Sequence, residues 1–143
     1  MLTINTTRFG EMEINENRII HFPEGLLGFL EYKKYVILEH KSNSPFCWLQ
    51  SIDLPNLAFV VINPLMVKND YLEKLSPDEK QFSSSENGDD TIVFAIVTIP
   101  HGRVEEMTAN LLGPLIIDVG SRIGRQVILN NSGYNHRHPL ISI

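Results

Sequence analysis

Apolar and polar side chains alternate over short runs along most of the chain, the pattern of half-buried β-strands. Residues 2–5, 11–14 and 18–22 are the first such runs, and Asn15-Glu-Asn17 has the length and composition of a hairpin connection between the second and third. Pro23-Glu-Gly-Leu-Leu-Gly28 is a turn segment, because proline fixes φ and glycine permits backbone shapes other residues resist. One helical turn is expected over 29–33, then strands over 35–40 and 46–51.

The run 57–62 is apolar throughout and so predicts a strand covered on both faces, ended by Asn63-Pro64. Residues 91–99, β-branched and apolar nearly throughout, form the strongest strand candidate. Further strands are expected at 108–112, 115–118 and 126–130, with turns at Gly113-Pro114 and 120–125. A short helical insert is expected near residues 69–82, where Ser76-Pro-Asp-Glu79 has the order N-cap, first-turn proline and capping carboxylate. Residues 83–90 are composed like a solvated loop. Many short strands with one helical insert predict a mainly all-β, antiparallel, barrel-like fold, with residues 1–143 as one domain.

Composition agrees with that outline. A chain of 143 residues, 43% of them hydrophobic, can bury roughly 68% of its unfolded surface and needs no staple. A single cysteine, Cys47, excludes an internal disulfide and suits a reducing compartment. The N-terminus lacks the basic start and apolar run of a signal peptide, and no apolar stretch approaches the ~20 residues of a membrane span. A cytoplasmic location is expected.

The net charge of −5 is unevenly spread. Residues 70–106 hold nine acids and three bases, whereas 107–143 hold one acid and three arginines. An acidic middle disfavours phosphate backbones and argues against general nucleic-acid binding.

Candidate chemistry is sparse. His136-Arg-His138 has strand spacing for two ligands on one face, but no Cys, Asp or Glu lies near it in sequence, so a surface role is preferred and no metal is expected. Cys47 lies between Phe46 and Trp48 without a neighbouring base, as a small core residue does. No nucleophile elbow, phosphate loop or dinucleotide fingerprint occurs, so neither catalysis nor a cofactor is expected. Protein binding is the expectation that remains, with Trp48 and Tyr71 as candidate anchors, core packing being the alternative for each. A small barrel binding RNA directly, or a small enzyme, are the competing functions.

Eight segments taken together resemble the flagellar assembly factor FliW family: Thr7-Arg-Phe-Gly-Glu11, Ile20-His-Phe-Pro-Glu-Gly-Leu-Leu-Gly-Phe29, Pro45-Phe-Cys-Trp-Leu-Gln-Ser51, Leu57-Ala-Phe-Val-Val-Ile-Asn-Pro64, Asp70-Tyr71, Ile96-Val-Thr-Ile-Pro100, Thr108-Ala-Asn-Leu-Leu-Gly-Pro114 and Arg125-Gln-Val-Ile-Leu129. They cover nearly the whole chain in family order. Leu27, Gly113 and Asp118 depart mildly from the family pattern, which commonly has Pro, Ala and Asn there. The resemblance implies a β-barrel-like fold without a cofactor and two mutually exclusive cytoplasmic protein partners. These are flagellin and CsrA, the carbon storage regulator that represses flagellin translation. Acidic Glu86, Asp89 and Asp90 are then candidates for disfavouring RNA near bound CsrA.

Overall fold

The computed structural model describes residues 1–39, 44–71, 91–130 and 132–140. It contains eleven strands among those residues: β1 (Leu2–Thr6), β2 (Gly10–Ile14), β3 (Ile20–His21), β4 (Lys34–Glu39), β5 (Phe46–Ser51), β6 (Ala58–Ile62), β7 (Thr91–Thr98), β8 (Thr108–Ala109), β9 (Leu115–Asp118), β10 (Ile123–Gln126) and β11 (His138–Pro139). Single 3-10 turns stand at Glu16–Arg18, Pro64–Met66, Pro100–Gly102 and Val104–Glu106.

The eight-residue strand β7 closes the fold. One of its edges pairs with β6 through Val60↔Val97, Val61↔Ile96 and Ile62↔Ala95. The other pairs first with β9, Thr91↔Asp118 to Phe94↔Leu115, and then with β8. The order β7-β6-β5-β4-β3-β10-β9 therefore returns to β7, a seven-stranded barrel. Closure leaves no free sheet edge within the seven-stranded ring. The ladder is antiparallel except where β10 meets β3 in parallel through the one register pair Ile123↔His21. β8 and β11 extend the sheet beyond the ring, and β1 and β2 form a separate hairpin.

Strand alternation sorts the core into an inside and two outer layers. Tyr35, Leu49, Val61, Leu115 and Ile117 fill the barrel with Phe22 and Leu26. Their neighbours in sequence face outward: Val36 and Leu38 pack under Ile4 and Ile14 of the hairpin. Ile62, Ala95, Val97 and Ile116 pack under Leu111, Val127 and Leu129. The central strands are thus covered on both faces, which is why 57–62 and 91–99 read as continuous apolar runs.

Several local expectations are corrected. Asn15-Glu-Asn17 is not a hairpin turn; Asn15 Oδ1 accepts from Asn17 N and caps a 3-10 turn that carries the chain from the outer hairpin into the barrel. β2 pairs with β1 and not with β3. The hairpin turn is Thr7-Arg8-Phe9, closed by Thr6 Oγ1, which accepts from Phe9 N and donates to Gly10 O. Residues 29–32 form turns and no helix. Residues 127–129 are not a strand, because their amides donate to loop carbonyls, Val127 to Pro114 and Leu129 to Leu112. The strand lies earlier, at β10. Of the helical insert expected near 69–82, residues 69–71 form a turn and the rest lies outside the described residues.

Candidate protein-interaction surface

Trp48 stands on β5 between Leu38 of β4 and Val60 of β6, on the outward face of the barrel. It packs against the layer of Ile4, Ile14, Ile19, Val36 and Leu38. The hairpin tip adds two further contacts. The Arg8 guanidinium carbon lies 4.0 Å from the ring centroid, a cation–π contact. The Phe9 ring meets it edge-on, with centroids 6.3 Å apart and planes at 75°. Trp48 remains half-buried, while Arg8 and Phe9 are exposed, so the three present a mixed aromatic and cationic surface to solvent. Arg8 and Phe9 were not singled out from sequence. Their role depends on how the hairpin lies over β5, which local pattern does not encode.

Tyr71 occupies a different place. It is 2% exposed, its hydroxyl donates to Leu111 O at 2.5 Å, and its ring lies 4.6 Å from that of Tyr134. Burial, and secondarily Tyr134, raises its hydroxyl pKa well above the ordinary value. The structure therefore puts Trp48 and Tyr71 in separate layers, the former at the surface and the latter within the core. Glu86, Asp89 and Asp90 lie outside the described residues.

A second exposed apolar feature is the turn after β3. Gly25 adopts φ +69° and a Cβ there would stand 2.5 Å from Leu30 Cα, so only glycine lets the turn close this tightly. Leu26 is driven into the core, while Leu27 and Leu30 are left 59% and 58% exposed. Phe29 stacks edge-on against Phe59 at 5.4 Å. The turn is fastened to the barrel by Gln126, whose Oε1 accepts from Leu27 N at 3.0 Å and whose Nε2 donates to Gly113 O at 3.0 Å. Leu27 thus supplies an amide proton that a proline would lack.

Cys47 is half-buried and packs toward the barrel interior. Burial, and then the charge of Glu39, pushes its thiol pKa up, which suppresses the thiolate a nucleophile requires. Among the described residues no group of three or more His, Cys, Asp or Glu side chains is placed to hold a metal, and no helix is long and apolar enough to cross a membrane.

Comparison with known proteins bears on what this surface serves. Residues 3–140 match the family model described as FliW protein. The flagellar assembly factor FliW of Caldanaerobacter subterraneus subsp. tengcongensis is 41% identical over 141 residues, covering 98% of this chain and 93% of that protein. The flagellar assembly factor FliW of Geobacter sulfurreducens is 38% identical over 138 residues, covering 96% and 86%. A crystal structure of the flagellar assembly factor FliW superposes with a TM-score of 0.84 at 35% identity, covering 99% of this chain and 98% of that one.

Proposed function

The chain belongs to the FliW family of flagellar assembly factors, and from that premise we propose that it is a cytoplasmic partner switch working by protein binding and not by catalysis. In this proposal it holds flagellin before export. When flagellin leaves, the freed protein binds CsrA and antagonises its repression of flagellin translation, so synthesis follows secretion.

The observation that best supports a binding role is the outward group of Trp48, Arg8 and Phe9. A half-buried tryptophan under an arginine, held in place by a packed hairpin, is the residue chemistry of interface anchors. Preorganisation by the hairpin lowers the entropy lost when a partner docks. The raised thiol pKa of Cys47 also speaks against cysteine-based chemistry.

The test is size-exclusion chromatography of the purified chain with purified flagellin and purified CsrA. Each partner alone is expected to form a complex, and the three together are expected to give two binary complexes with flagellin displacing CsrA. A stable ternary complex, or failure of either partner to bind, would overturn the switch. A labelled leader RNA shifted by this chain without CsrA would favour direct RNA binding instead.

A further inference from the structure

We propose that one mouth of the barrel is an anchor pocket for an apolar side chain flanked by carboxylates on a protein partner, a surface separate from the Trp48 group.

The pocket is a cavity of about 280 Å³ at the end of the barrel where β3, β4, β7 and β9 converge. Ile20, Ile37, Ile92 and Ile117, one from each of those strands, form an aliphatic lining, extended by Val119 from the β9–β10 loop. Ile92 and Val119 are 38% and 48% exposed, so the apolar surface reaches solvent.

Among the described residues its rim carries charge of one sign: Arg18 and Arg122 both line the cavity, together with the neutral Asn17, and no described acid does. In a chain of net charge −5 this is a local reversal. Neither arginine is paired with a carboxylate among the described residues. Both are instead held by neutral oxygens: Arg18 Nη2 donates to Ile37 O at 3.2 Å, and Arg122 Nη1 to Asn17 O at 2.7 Å. Each guanidinium keeps further donors of its planar fork for a carboxylate.

Arg122 also has a backbone φ of +59°, a left-handed conformation that disfavours a side chain and that glycine or asparagine fills more easily. Its loop is otherwise conventional: Asp118 Oδ1 accepts from Gly120 N and Ser121 N, and Arg122 N donates to Asp118 O. The side chain at 122 therefore fixes a cation over the mouth where the backbone alone would favour a smaller residue.

At about 280 Å³ the cavity has room for one or two side chains, and the charge of its rim selects between them. An aliphatic or aromatic side chain entering the aliphatic lining, with acidic neighbours reaching Arg18 and Arg122, satisfies both halves of the site. The inference rests on the reading of this chain as a protein-binding factor, but not on the identity of its partners.

The experiment follows the isoleucine methyl resonances of the full chain while titrating three probes. They are an acetylated, amidated helical peptide of leucine and glutamate, its leucine and lysine counterpart, and octanoate. Saturable shifts at Ile20, Ile37, Ile92 and Ile117 with the glutamate peptide alone are expected. Val119→Glu should weaken that binding at least about tenfold and Val119→Lys should not, since like charge at the mouth repels the acidic peptide. Equal loss in both variants would show that charge at the mouth does not decide binding and would overturn the proposal. So would equal shifts with both peptides, no shifts at all, or saturation by octanoate without the glutamate peptide, the last marking a small amphiphile's site. None of these results depends on flagellin or CsrA, so the switch and the pocket fail separately.

Discussion

Gly124 of β10 leaves the space that the Phe22 ring fills: a Cβ built on Gly124 would lie 2.6 Å from Phe22 Cε1 and 2.8 Å from Cζ. Phe22 is fully buried and is braced edge-on by Tyr35 at 5.5 Å. The contact lies beside the one parallel seam of the barrel, where β3 and β10 share a single register pair. The missing side chain on one strand and the large ring after the other form a joint that holds a weakly hydrogen-bonded seam together. Gly124→Ala is expected to destabilise the fold by about 1–3 kcal/mol, because the braced ring cannot move aside without cost. Phe22→Leu in the same chain should recover part of that loss. A double-mutant cycle by urea denaturation measures this coupling, and strict additivity would mean the two sites are independent.

The separate layers of Trp48 and Tyr71 predict opposite phenotypes. Tyr71→Phe removes the hydrogen bond to Leu111 O and leaves a buried carbonyl without its donor, so stability should fall by about 1 kcal/mol while partner affinity is unchanged. Trp48→Ala should weaken partner binding by about 2 kcal/mol or more, and Arg8→Gln by less. Calorimetry with flagellin and CsrA, paired with thermal melts, separates the two effects. Unchanged affinity for both partners in Trp48→Ala would assign Trp48 to packing alone.

Alkaline pH should unfold the barrel through its buried tyrosines. Burial pushes the Tyr35 hydroxyl up to about 12 from an ordinary 10.0 and raises Tyr71 as well. A raised folded-state value means the neutral form is preferred in the fold. The stability so contributed is complete below pH 10.0 and is lost as pH rises through about 12. Tyrosinate absorbance followed against pH should show two of the four tyrosines ionising only as the fold is lost. Tyr35→Phe should shift this transition upward. It should also leave neutral-pH stability equal or higher, because the Tyr35 hydroxyl is buried with no hydrogen-bond partner among the described residues.

Much of the barrel is legible in the chain, and the exceptions have physical causes. β5, β6 and β7 declare themselves because strands packed on both faces must be apolar at successive positions, as Val60, Val61 and Ile62 are. β10 does not, because its inward position is Gly124 and the ring that fills the gap comes from Phe22 on another segment. Val127 and Leu129 look like a strand because they are buried, yet burial there comes from covering the barrel and not from a ladder. Asn15-Glu-Asn17 carries turn residues that suit a capped 3-10 turn as well as a hairpin, and local composition does not choose between them. Trp48 could be named as a candidate anchor, with core packing as its alternative, from residue type alone. Arg8 and Phe9 could not, since their contact exists only once the hairpin has docked.

The acidic segment carries the last prediction, which concerns regulation. Residues 70–106 hold a net charge of −6, and Glu86, Asp89 and Asp90 contribute half of it. If the segment faces the RNA path of bound CsrA, it disfavours RNA by like-charge repulsion, an effect that can amount to several kcal/mol. The triple variant Glu86→Gln, Asp89→Asn and Asp90→Asn should then bind CsrA as the parent does but displace leader RNA less completely. Repulsion between exposed charges is screened over a Debye length of about 10 Å at 0.1 M salt, so the gap between parent and variant should narrow as salt is raised. Competition binding with labelled leader RNA over a salt series measures both quantities. Equal displacement by parent and variant at low salt would exclude the electrostatic mechanism and leave direct occlusion by contacts on the barrel. Reduced CsrA affinity in the variant would instead place these carboxylates in the CsrA interface itself.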